Sequence, residues 1–186
     1  LLTALSFQPG LASYFLSDDL IRKGVVMIAN VAEGDSPARH FRDLGPEEPF
    51  NVVRHGAELY VDPLSYRRYD ALANGFASLD AEKVADLYRT VEPLVHDAYE
   101  ELGYLNKPFG NVLTKAFAVL IDTPVVETPA EVYAVSVNYA YSDPRLESLT
   151  PAQQQLLRMG PANVRKIQAK LKGIANALAQ PESPVG

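Results

Sequence analysis

The apolar positions of the chain fall into helical rhythms over most of its length. Leu20, Ile21, Val25, Val26, Met27, Ile28 and Val31 occupy more than one face of a helix that ends near Ala32, which suits a helix in the middle of a bundle. Ser17 stands as its N-cap, and Asp18 and Asp19 complement the positive end of its dipole. Val84, Leu87, Val91, Leu94, Ala98 and Leu102 repeat at three and four residues after the cap residue Asp80, and Gly103 offers a stop. Pro93 lies inside that run, so a bend or a split near Glu92 is expected. Leu113, Phe117, Leu120 and Ile121 mark a short apolar helix over 111–122. Val164, Ile167, Leu171, Ile174 and Leu178 recur at 3, 4, 3, 4 in a last helix opened by Pro161.

Between these runs the punctuation is local. Asn51–Arg54, the turn His55-Gly56 and Ala57–Val61 read as a β-hairpin with Gly56 at a positive φ. Asp62-Pro63 and Thr150-Pro151 each place a cap residue before a proline at the first helical position, which opens helices over 64–79 and through Leu156 and Leu157. Residues 34–50 carry turn formers and charges without periodicity and read as a long surface loop. Pro9-Gly10 divides the apolar stretch 1–15 into two short pieces, and Pro124 to Tyr141 reads as extended, rich in valine but broken by prolines. The expected fold is mainly α: a single-domain helical bundle over 1–180 with a small hairpin near 51–61 and a flexible tail at 181–186.

Composition narrows the function classes. The chain has 186 residues, 47% of them apolar and 22% charged, which suits one globular core. With no cysteine there is no disulfide, thiolate nucleophile or sulfur-ligated metal. A formal charge of −6 gives no footprint for nucleic acid, and no apolar run is long enough for this fragment to insert into a membrane. Residues 151–186 carry a local +4 against −10 for the rest, so the last helix is expected to dock on its own acidic body. The start at Leu1-Leu2-Thr3-Ala4, without Met or a basic leader, suggests a trimmed fragment.

Candidate chemistry is sparse. Gly34-Asp35-Ser36 resembles a fragment of serine-hydrolase signatures, yet all three histidines, His40, His55 and His96, lie in the first hundred residues, and a loop turn is the better reading. His96 stands one helical turn from Glu92 and Glu100, which could serve acid–base work or supply metal ligands, but a solvated face is the better reading. No phosphate loop, HExxH string or EF-hand occurs, so no cofactor and no metal is expected. The densest patch is Tyr66-Arg67-Arg68-Tyr69-Asp70, for which packing is the leading reading and an arginine fork beside tyrosines, lining an anionic-ligand or peptide site, the alternative. Ten tyrosines and no tryptophan fit either.

Three stretches carry a resemblance: Leu16-Ser17-Asp18-Asp19-Leu20-Ile21-Arg22; the hairpin followed by Leu59-Tyr60-Val61-Asp62-Pro63 and Tyr66 to Asp70; and Asp143-Pro144-Arg145-Leu146-Glu147 through Pro151-Ala152-Gln153 to Leu156-Leu157-Arg158-Met159-Gly160-Pro161. In these the chain resembles the uncharacterised bacterial family designated domain of unknown function 3014, over nearly its whole length. The family has no established activity, substrate or catalytic residue. Its members look membrane-anchored, with one N-terminal transmembrane helix and a proline-rich linker ahead of this domain. The resemblance therefore implies a periplasmic domain, held at the inner membrane by a helix outside this fragment. The expected function is a non-catalytic module of the bacterial cell envelope that binds an envelope protein, peptide or glycan. The alternative is a hydrolase or lytic enzyme using Glu92, Asp97 and Glu100 or Asp62 and Asp70.

Overall fold

A computed structural model describes residues 18–37, 49–104, 107–136 and 138–180. Among them run α1 (Asp18–Ala32), β1 (Val52–His55), β2 (Glu58–Val61), a 3-10 segment (Pro63–Tyr69), α2 (Asp70–Ala77), α3 (Ala81–Glu101), α4 (Phe109–Ile121), β3 (Glu131–Val135), β4 (Asn138–Tyr141), α5 (Pro144–Glu147), α6 (Pro151–Leu157) and α7 (Pro161–Ala179). The fold is mainly α, as expected. The readings of 1–15, of the Ser17 cap, of most of the 34–50 loop and of the tail 181–186 lie outside the described residues.

Helices α1, α3 and α4 enclose one apolar cluster of Val25, Val95, Ala98, Tyr99, Phe109 and Leu113. Tyr99 meets Phe109 edge-on at 5.2 Å and stacks on Tyr104 at 4.6 Å. Helix α1 was expected to be buried nearly all round. Among its described side chains only Val25, Val31 and Ala32 are fully buried and Leu20 is 49% exposed, because α1 packs on α3 and α4 along one side. The split at Pro93 does not occur, and α3 runs unbroken through it. Proline denies the Arg89 carbonyl its usual donor, but Pro93 lies on an exposed face where water can serve that group.

The sheet is larger than the predicted hairpin. Four antiparallel strands stand in the order β1-β2-β3-β4. The β1–β2 hairpin turns at Gly56, φ 64°. Strand β3 joins it through Leu59↔Val132 and Tyr60↔Glu131, and β4 closes the sheet through Val132↔Tyr141. One face buries Val61, Val132 and Tyr141 against Leu146 and Leu157. The stretch read only as extended therefore supplies half the sheet, and the short α5 that follows was not foreseen.

Residues 64–79 were expected to form one α-helix, but the first turns are 3-10. The cause is competition for carbonyls. Ser65 O accepts from Arg68 Nε at 2.8 Å and Tyr66 O from Asn163 Nδ2 at 3.3 Å, so the Asp70 N–H donates to Arg67 O, three residues back. Ser65 is also pinned to β1's approach, its hydroxyl accepting from Asn51 N at 2.8 Å.

Helix α7 ties the parts together by packing on α2, α3 and α4. Its expected docking on its own body is what the structure has. Lys166 Nζ donates to Asn74 Oδ1 at 2.8 Å, Lys170 Nζ to the Leu79 carbonyl, and Arg165 pairs with Glu127. Two amides on its buried side are saturated. Gln168 Nε2 donates to the carbonyls of Leu120, Ile121 and Thr123, satisfying the C-terminal end of α4, and Asn163 Nδ2 donates to Asp70 Oδ1 at 2.8 Å and Met159 O at 3.1 Å.

Candidate functional site

The five predicted residues are placed by the 3-10 geometry and separate into three roles. Arg67 is exposed, and its side chain makes no hydrogen bond or ion pair with a described residue. Asp70 turns inward to Asn163, and Tyr66 lies behind the surface in a small cavity with Tyr141 and Arg158. Burial pushes the Tyr66 hydroxyl above its ordinary range. Its ring closes over Gly160, whose φ of 81° and missing side chain make room for it: a Cβ there would lie 2.3 Å from Tyr66 Cγ.

Only Arg68 and Tyr69 face the opening that matters. They line a basin of about 400 Å³ with Phe50, Val132, Asn138, Tyr139, Tyr141, Gln155 and Arg158. The Arg68 guanidinium sits 5.6 Å from the Phe50 ring centre and 5.2 Å from that of Tyr69, within reach of cation–π attraction. Phe50 and Tyr139 approach at 5.7 Å. The period of two along β4 puts Tyr139 and Tyr141 on the same face.

Arg158, just past the end of α6, lines the same small cavity as Tyr141 and acts on its hydroxyl through its charge. That hydroxyl is pushed up to about 12, chiefly by burial, with Arg158 pulling the other way. Arg158 forms no ion pair with a described carboxylate, and no Asp or Glu is among the described residues lining the basin. Helix α6 is positioned by the Thr150/Gln153 capping box, and its Ala152 N–H donates to Gly34 O at 2.9 Å. Gly34, at φ 88°, packs on Thr150, so the Gly34-Asp35-Ser36 string opens with a turn that docks α1 on α6.

Most of the basin was not foreseen: Phe50, Asn138, Tyr139, Tyr141, Gln155 and Arg158 come from separate segments. The alternation Tyr139-Ala140-Tyr141 was the one local signal.

The carboxylates proposed for hydrolysis are dispersed. Glu92 lines a shallow recess with Arg89, Pro93, His96, Pro108 and Phe109, and His96 Nε2 lies 3.5 Å from Glu100 Oε1. Asp97 faces a different recess beside Glu101, which Arg22 holds at 2.7 Å. Asp62 caps the 3-10 segment by accepting from Leu64 N at 2.9 Å. Among the described residues no cluster of three acidic, histidine or cysteine side chains can hold a metal, and no helix is long and apolar enough to cross a membrane.

No curated protein and no solved structure matches the chain. Residues 20–175 match the model of a family described as Protein of unknown function (DUF3014), and the chain belongs to that family.

Proposed function

We propose that this domain is a non-catalytic binding module of the bacterial cell envelope, and that its ligand presents an anionic group to Arg158. The observation that carries this reading is the basin itself: two guanidinium groups and four aromatic rings, with no carboxylate among its described lining residues. A planar guanidinium matches a carboxylate or phosphate with two parallel hydrogen bonds, and flanking rings lower the local dielectric and strengthen them. A basin of this size accommodates a small molecule or the end of a chain. The envelope placement rests on what the resemblance implies, an N-terminal transmembrane helix and a proline-rich linker ahead of this domain. The partner is accordingly an envelope protein, peptide or glycan met in the periplasm.

The test is capture from envelope extract on immobilised wild-type domain beside an Arg158→Gln control. Material retained by the wild type and released by salt is expected to be missing from the control. Equal capture on both would sink the reading. For the placement, the full-length protein in spheroplasts is expected to be cleaved by added protease, and protection would remove the envelope role.

A further inference from the structure

Resting on the anion-binding reading, we propose that the ligand is an acidic glycan, and that the basin seats one uronic-acid residue with its carboxylate on Arg158 and its ring face on tyrosine. Three features of the basin select this class. Besides the guanidiniums, it is lined by two carboxamides with unused capacity. Gln155 makes a single 3.4 Å contact from Nε2 to Tyr69 Oη, leaving Oε1 without a described donor, and the Asn138 side chain bonds no described group. A carboxamide offers one donor edge and one acceptor edge, and so do adjacent sugar hydroxyls, each of which both gives and takes a hydrogen bond. The rings of Tyr139 and Phe50 provide apolar faces for the C–H side of a pyranose.

The competing ligands fit less of this surface. Inorganic phosphate satisfies Arg158 but leaves the rings and carboxamides unused. A peptide terminus adding as a strand to the open edge of β4 needs the Tyr141 N–H, and that group already donates to Glu147 Oε2 at 2.8 Å. A sugar needs no strand pairing, so the plugged edge costs it nothing.

The experiment is calorimetric titration of the purified chain with trigalacturonate, neutral galactotriose, inorganic phosphate and the tripeptide Ala-Ala-Ala. Trigalacturonate is expected to bind saturably, galactotriose at least tenfold more weakly, and phosphate and the tripeptide without saturation. Arg158→Gln is expected to weaken trigalacturonate at least tenfold. Gln155→Leu, which leaves Arg158 in place, is expected to weaken it several-fold with an unchanged melting temperature. If phosphate or the tripeptide binds more tightly than trigalacturonate and depends on Arg158, the glycan inference falls and the anion reading stands. If galactotriose equals trigalacturonate, or no probe binds, or trigalacturonate ignores both variants, the glycan inference falls. Failure of every charged probe to depend on Arg158 removes the anion reading as well.

Discussion

The two faces of the region around Tyr69 treat their amides in opposite ways. On the α7 side Asn163 and Gln168 are buried and saturated, each Nδ2 or Nε2 serving three acceptors. On the basin side Gln155 has one long contact and Asn138 none to a described group. An amide that satisfies helix-end carbonyls in the interior holds the fold, and removing it strands those carbonyls. An amide with open valences at a solvent opening contributes little to the fold and is free to bind. The same division separates the arginines: Arg165 is spent on Glu127, while Arg158 pairs with no described carboxylate.

The hardest test of that contrast is the wall both sides share. Gly160→Ala strains the φ of 81° and drives a new Cβ into the Tyr66 side chain, and the clash falls on the root of a half-buried ring. It should cost about 3 kcal/mol and lower the melting temperature by about 10 °C. A melt within a degree or two of wild type would show that Tyr66 moves freely and that the wall is not rigid.

Next in size is a pH effect led by Tyr141. Tyr141 titrates near 12 when folded against 10 when unfolded, so the folded chain keeps a proton that the unfolded chain loses. Stability from this group is intact below pH 10 and is lost as pH rises from 10 to 12, by about 2 to 3 kcal/mol. Tyr66 adds to the loss in the same direction. Urea midpoints measured across that window should fall steeply in the wild type and less in Tyr141→Phe; identical slopes would mean that water reaches the hydroxyl.

The amides give a matched pair. Gln168→Ala should destabilise by about 2 kcal/mol, because three carbonyls lose their donor in the interior. Gln155→Ala should stay within about 0.5 kcal/mol. Equal losses in denaturant melts would erase the distinction between structural and binding amides. The smallest effect belongs to Arg67→Ala: with its side chain exposed and bonded to no described residue, it should change stability by less than about 0.5 kcal/mol and leave ligand capture intact. Loss of capture in this variant alone would move the site to the outer side of the 3-10 segment.

The sequence by itself determined what depends on neighbours within a turn or two. Asp62, Asp80 and the Thr150/Gln153 pair cap where their side chains reach the next backbone N–H groups, and Gly56 and Gly103 take the positive φ that their turns require. The 3, 4, 3, 4 spacing of α7 survives as a buried stripe through Val164, Leu171 and Ile174, because a helix facing a core has one period. Tertiary structure decided the rest. Valine-rich 131–135 becomes a strand only because β2, some seventy residues earlier, presents an edge for it. The start of the 64–79 helix tightens to 3-10 because Asn163, ninety-seven residues away, takes the Tyr66 carbonyl. Of Tyr66 to Asp70, adjacent in sequence, two line the basin, two serve the interior and one faces solvent. A local pattern fixes which residues share a helix face, but a concave site is made where distant segments meet, and that meeting is set by packing.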